Sequence, residues 1–251
     1  MKKFSSYFFI CCLISIILCI SSEAEIQGLW EKYSLLPNET EKATVSHQYP
    51  GRIIGEWPEK PGRLYFANWP YRGKTYEIFF SHKRELGRGI YGIALFTRDI
   101  DTAITLQKFE KGAQGFHYSI SQVVDWANAV LQSKLKFNTN EEFVLLYWLV
   151  EEKAITLVGG KWEPTGRIKH ILGVTPGRKR SLKVNLNHER LHVIWDEDPA
   201  FREKYTDKWN KLTKVKREGI LKDFKNYDQT NINQIIEEWA VRQNESDVSW
   251  K

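Results

Sequence analysis

The chain passes through three regimes of polarity. A mainly apolar run covers residues 7–20, with Lys2 and Lys3 before it and the small residues Ser22 and Ala24 after it. A basic start, an apolar middle and a small-residue end are the parts of a cleavable secretory signal peptide, predicted over residues 1–24 with Glu25 as the first mature residue. At 14 residues the run is shorter than the roughly 20 that cross a bilayer, so no membrane span is expected after cleavage.

From residue 25 to about 118, short apolar stretches alternate with Gly, Pro and polar residues. The β-branched and aromatic residues at 63–67, 75–80 and 91–97, each bounded by turn formers, predict strands of an antiparallel sheet. The period changes near residue 119. Ile120, Val123, Val124, Ala127, Val130 and Leu131 recur at helical spacing, and 141–150 predicts a second apolar helix. Residues 154–157 read as a strand, and Leu182, Val184 and Leu186 alternate with polar residues as on an edge or half-buried strand over 181–186. Two closing helices are expected at 199–217 and 231–243, the second with Ile232, Ile235, Ile236, Trp239 and Ala240 on one face. The expected class is α+β, with a β-rich region over 25–118 and a mainly helical region over 119–251.

Composition narrows the function classes. All three cysteines, Cys11, Cys12 and Cys19, fall in the leader, so the mature protein is expected to lack thiols and disulfides. A chain of this length can instead rely on an apolar core. Leu18, rather than a small residue, precedes Cys19, which argues against a lipid-modified cysteine. Losing two bases and one acid with the leader lowers the formal charge from +6 to +5. The remaining bases are interleaved with acids, and Arg178-Lys179-Arg180 reads as a solvated loop. No basic stripe that would follow a phosphate backbone is present, so nucleic acid is not an expected partner. The expected location is secreted or periplasmic.

One segment carries a mechanism. His188-Glu189-Arg190-Leu191-His192 fits H-E-x-x-H, where histidines four apart share a helix face and can reach one metal ion. Zn²⁺ between the imidazoles would acidify a bound water, and Glu189 would lie near enough to take its proton. Asn185 or Asn187 is available to cap the helix, and Leu191, Ile194 and Trp195 give it an apolar side. Asp196 or Asp198 could hold a ligand histidine through its second ring nitrogen. A catalytic zinc needs a third protein ligand, for which Glu203, Glu218, Glu237 and Glu238 are downstream. Glu237 is the expected one, because Ala240 and Val241 flank it on its helix, whereas Arg242 at i+4 can pair with Glu238. His47, His82 and His117 have no ligand spacing, while His170 is close enough in sequence to be a polar residue of the site.

The motif, followed by Tyr227, Thr230-Asn231 and Glu237-Glu238-Trp239-Ala240, resembles the gluzincin metallopeptidases, especially secreted lethal-factor-like toxin proteases. The resemblance covers residues 182–242. It implies His188, His192 and Glu237 as zinc ligands, Glu189 as general base and Tyr227 as a donor to the transition state, acting on a peptide or protein substrate. The family usually buries this helix, so the charge of Arg190 departs from its pattern. An extended segment at 181–186 could hold substrate by adding it to the sheet.

Two other readings compete. The motif helix could lie at the surface, its histidines ordinary polar residues beside Asp196, Glu197 and Asp198. Ten tryptophans, and the cluster Trp57, Tyr65, Phe66, Trp69 and Tyr71, suit an exported non-enzymatic module that binds glycan, cell-envelope polymer or protein. Zinc stoichiometry separates both from a peptidase.

Overall fold

The computed structural model describes residues 64–246 apart from 70–73, 81, 133, 134, 136, 176–181 and 226, with the backbone alone at 64–68, 140 and 183. The signal segment, the basic cluster at 178–180 and the side chains of Trp57, Tyr65, Phe66 and Tyr71 lie outside this description. Strands concentrate in the earlier part and helices in the later part, and the class is mixed α and β. In chain order the elements are β1 (Leu64–Asn68), β2 (Thr75–Phe80), α1 (Lys83–Phe96), α2 (Leu106–Gly112), β3 (Gly115–Ser119), α3 (Ile120–Leu131) and α4 (Asn140–Glu151). They continue with β4 (Ile155–Val158), β5 (Lys161–Pro164), β6 (His170–Val174), α5 (Leu182–Glu197), α6 (Pro199–Asn210), α7 (Lys214–Asp223) and α8 (Ile232–Asn244).

The main sheet has the order β1-β2-β6-β3. β2 and β6 are parallel, and the outer pairs are antiparallel. Every residue of β2 is buried, because both faces of the sheet are covered. On one face, Tyr76, Ile78, Phe80, Phe116, Tyr118 and Ile171 join the apolar sides of α1, α3 and α4 in the largest core cluster. On the other, Phe79, Leu172 and Val174 pack with Leu186, Val193 and Ile194 of α5. A small hairpin, β4–β5, turns through Gly159 and Gly160 at φ 54° and 75°, the paired positive values of a two-residue hairpin turn. Ser119 ends β3 and starts α3 at once through a capping box with Gln122, so no loop separates the outer strand from the helix behind it.

Three expected elements differ. Residues 91–97, expected as a strand, belong to α1 apart from Thr97, its C-cap. Leu86, Ile90 and Ile93 form its buried stripe, and Gly87 and Gly92 are close-approach points. Gly92 donates its N–H to Glu142 Oε1 at 2.6 Å, and a Cβ there would stand 2.8 Å from that same oxygen. Residues 182–186 open α5 instead of forming a strand, because Leu182 and Leu186 stand one helical turn apart against the second cluster. Asn185 and Asn187 therefore lie inside the helix, with Asn185 Nδ2 donating to Thr175 O at 3.0 Å. The helix expected over 199–217 is two, divided where Thr213 caps α7 by accepting from Lys216 N.

The charge of Arg190 is answered from the sheet. Arg190 Nε and Nη2 meet Glu77 Oε1 and Oε2 of β2 at 2.7 and 3.2 Å, and the guanidinium lies 5.1 Å from the ring centre of Trp69. Glu77 is fully buried, and that burial pushes its carboxyl up to about 7 even though Arg190 pulls the other way. Glu77→Ala leaves the buried guanidinium without a counter-charge and is expected to cost about 3–5 kcal/mol in denaturant unfolding. Glu77→Gln keeps an acceptor and should cost less; equal stability of Glu77→Ala and the native protein would mean that the pair does not hold α5 to the sheet.

Candidate metal centre

The motif helix α5 is clamped between the sheet and α8, and His188, Glu189, Arg190, Leu191 and His192 are all buried. The surface-helix reading is thereby corrected. His188 and His192, one turn apart, have ring centres 5.1 Å apart, and both present Nε2 to α8. There the carboxylate of Glu238 spans them, with Oε2 3.4 Å from His188 Nε2 and Oε1 3.6 Å from His192 Nε2.

Glu237, the residue expected to be the third ligand, stands elsewhere. Its Oε1 is 2.6 Å from His192 Nδ1, on the far side of that ring from the point of convergence. Glu245 does the same for His188, with Oε2 2.9 Å from Nδ1. Packing of α8 decides this. Ile235, Glu238 and Val241 recur every three residues along its buried line, and Glu245 follows Glu238 after two turns on the same side. Ile232, expected on the docking face, is 41 % exposed. Nor does Arg242 form an ion pair with Glu238 within bonding distance; its guanidinium lies 4.0 Å from the centre of the Phe224 ring. Glu203 and Glu218 are exposed on α6 and α7 and do not belong to the donor group of His188, His192 and Glu238. Asp198 caps α6, accepting from Ala200 N and Phe201 N, and Asp196 turns toward His117 and His170.

The donor set fits a metal ion. Ligand atoms at zinc's bond length of about 2.0–2.1 Å in a tetrahedron stand about 3.3 Å apart, and the two distances spanning Glu238 are close to that. Glu238 Oε2 is buried with no well-formed hydrogen bond. Each imidazole has a carboxylate on its Nδ1, the outer arrangement that orients a ligand histidine. The electrostatics agree. Burial would raise Glu238, but contact with His188 and the charges of His192 and His188 outweigh it and hold the carboxyl at about 2. Burial would lower the histidines, and against it Glu238 and Glu245 raise His188 to about 9, while Glu237 and Glu238 raise His192 to about 10. The pocket is built to collect positive charge.

A cleft of about 770 Å³ opens over these residues, lined also by Glu189, Tyr227 and the outer strand β3. Gly115 of β3 faces Glu189 so closely that a Cβ would collide with the carboxylate, and glycine is what permits the approach. Tyr227 sits between α7 and α8, packed edge-on against Phe224 with ring centres 5.5 Å apart. Burial, then the charge of Glu238, pushes its phenol well above the usual range, so it remains a donor.

From the sequence, Glu238 ranks behind Glu237 as third ligand, and Glu245, Gly115 and His117 were not assigned. Periodicity along α8 carried a signal for Glu238 and Glu245, since 238 and 245 share the face of Ile235; His117 had none. The aromatic module has one described member, Trp69, which is buried against Arg190 rather than exposed. No protein-family model, curated protein or solved structure matches this chain.

Proposed function

We propose that the chain is an exported zinc-dependent metallopeptidase in which His188, His192 and Glu238 hold the metal and Glu189 is the general base. The supporting observation is the convergence of two imidazole Nε2 atoms and one buried carboxylate, at 3.4 and 3.6 Å, in a cleft that Glu189 also lines. Zinc bound there would polarise a peptide carbonyl and ease deprotonation of the attacking water.

The chain's own residues supply the rest. Glu189 takes the proton of the attacking water and passes it to the leaving amine. Glu237 and Glu245 fix the orientation of His192 and His188 through Nδ1. Tyr227, held protonated, donates to the oxyanion that develops on the carbonyl, the role that its resemblance implies. With residues 182–186 helical, the edge available for substrate in this reading is β3, one of the two outer strands of the sheet among the described residues. An extended peptide laid antiparallel on β3 would run past Gly115 directly over Glu189.

The test is cleavage of a peptide library by the purified protein, before and after chelation and with zinc restored. Cleavage lost on chelation, regained with zinc and absent from His188→Ala supports the reading. Cleavage indifferent to chelator, or a native protein that takes up no zinc, sinks it and leaves the exported binding protein as the better account.

A further inference from the structure

A second set of donors converges on the wall of the same cleft. His117 in β3 and His170 at the start of β6 lie on the sheet face that α5 covers, since Ser119, two residues beyond His117, is the register partner of His170. Asp196 reaches them from the last turn of α5. His117 Nε2 is 3.0 Å from His170 Nδ1, and each nitrogen is 3.8 Å from Asp196 Oδ2. Behind His170, its other nitrogen Nε2 is 3.4 Å from Glu197 Oε1. The two imidazoles are 6 % and 8 % exposed and Asp196 is 38 % exposed.

A hydrogen bond between the two rings accounts for their contact with each other. It does not account for a carboxylate equidistant from both nitrogens, nor for a second carboxylate behind one ring. An ion bound at about 2.0–2.1 Å in a tetrahedron separates its ligand atoms by about 3.3 Å, midway between the observed separations. The pattern resembles that of the first centre, with two imidazole nitrogens and one carboxylate converging and a glutamate orienting a ring from outside. Nitrogen-rich sites of this kind suit zinc and its first-row neighbours rather than magnesium or calcium.

We infer that His117, His170 and Asp196 form a second binding site for a divalent first-row cation, distinct from the one built on His188, His192 and Glu238. The sites are neighbours, since the rings of His117 and His192 lie parallel with centres 6.0 Å apart. An ion at the second site ties the outer strand β3 to the end of α5 and adds positive charge beside the edge on which a peptide would dock. Asp196, open to the cleft, gives the ion its route in. The inference stands whether or not the protein cleaves peptides, because it concerns binding alone.

The test is calorimetric titration of the metal-free full chain with zinc, with cobalt as a spectroscopic substitute. Two equivalents are expected. Asp196→Asn, at a half-exposed position that should not disturb folding, weakens one of them by at least the roughly 10–100-fold that a change outside the ligand sphere costs. His170→Gln removes the same equivalent, and the pair His188→Ala, His192→Ala removes the other. Native binding, of one equivalent or two, that is unaltered in both Asp196→Asn and His170→Gln overturns the site.

Discussion

Glu189→Gln is expected to lower kcat/KM for peptide cleavage by about 10²–10⁴-fold, the usual contribution of a positioned general base, with zinc content equal to that of the native protein. The amide has the shape of the carboxylate, so the buried position between α5 and β3 stays filled. It cannot take a proton. Glu189 belongs to the same helix as both histidines, so its position depends on α5 and not on an occupied metal site. The loss should therefore appear in kcat with little change in KM, the signature of an interaction made in the transition state. Mass spectrometric rates on one defined peptide, with elemental analysis of the same preparation, check both halves. Cleavage within a few-fold of native would remove Glu189 from the chemistry, and loss of zinc together with activity would make it a structural residue of the centre.

The fold was legible in the sequence where one face of an element settles the matter. Ile120 to Leu131 keeps its helical stripe because Val123, Ala127 and Val130 all meet the sheet-side core, and the apolar run 141–150 lies within α4 for the same reason. Legibility failed where two periods share residues. Leu182 and Leu186 fit both an alternating strand and one helical turn, and only the packing partners Leu172 and Val174 choose the helix. Gly92 sits inside the run read as a strand because a sequence does not say that Glu142 will approach it. β3 and β6 are five residues each, too short for a period to stand out, and their histidines and glycines are poor strand markers.

The site divides along the same line. His188, Glu189 and His192 were readable because their relation is internal to one helix. The third donor depends on how α8 is rotated about its axis, which is set by Ile235, Ile236, Ala240 and Val241 seating against α5 and α6. Neighbouring glutamates differ by about 100° around a helix, enough to exchange the roles of ligand and orienting residue. His117 and His170 are 53 positions apart and meet only through the register of β3 on β6.

That rotation makes the adjacent glutamates the most discriminating pair to mutate. Glu237→Ala should weaken zinc by about 10–100-fold, the usual cost of losing an outer partner of a ligand histidine. Glu238→Ala removes a carboxylate whose two oxygens span both imidazoles, and it should weaken zinc by more than Glu237→Ala does. Protons complicate the comparison at neutral pH. His188 and His192 stay protonated up to about 9 and 10, so zinc must displace both protons, and its affinity should climb as pH rises through that range. Removing either glutamate also releases its hold on those protons, which favours zinc and masks part of the loss. Near pH 10 the masking shrinks, because His188 is then mostly neutral and His192 is only about half protonated in the native protein, and the gap between the two substitutions should widen. Competition of each variant with a chelator of fixed affinity, at pH 7 and near pH 10, reads this directly. Equal losses at high pH would mean that neither glutamate is a dedicated ligand, and a larger loss for Glu237→Ala would transfer the metal to Glu237 and require α8 to turn when the ion binds.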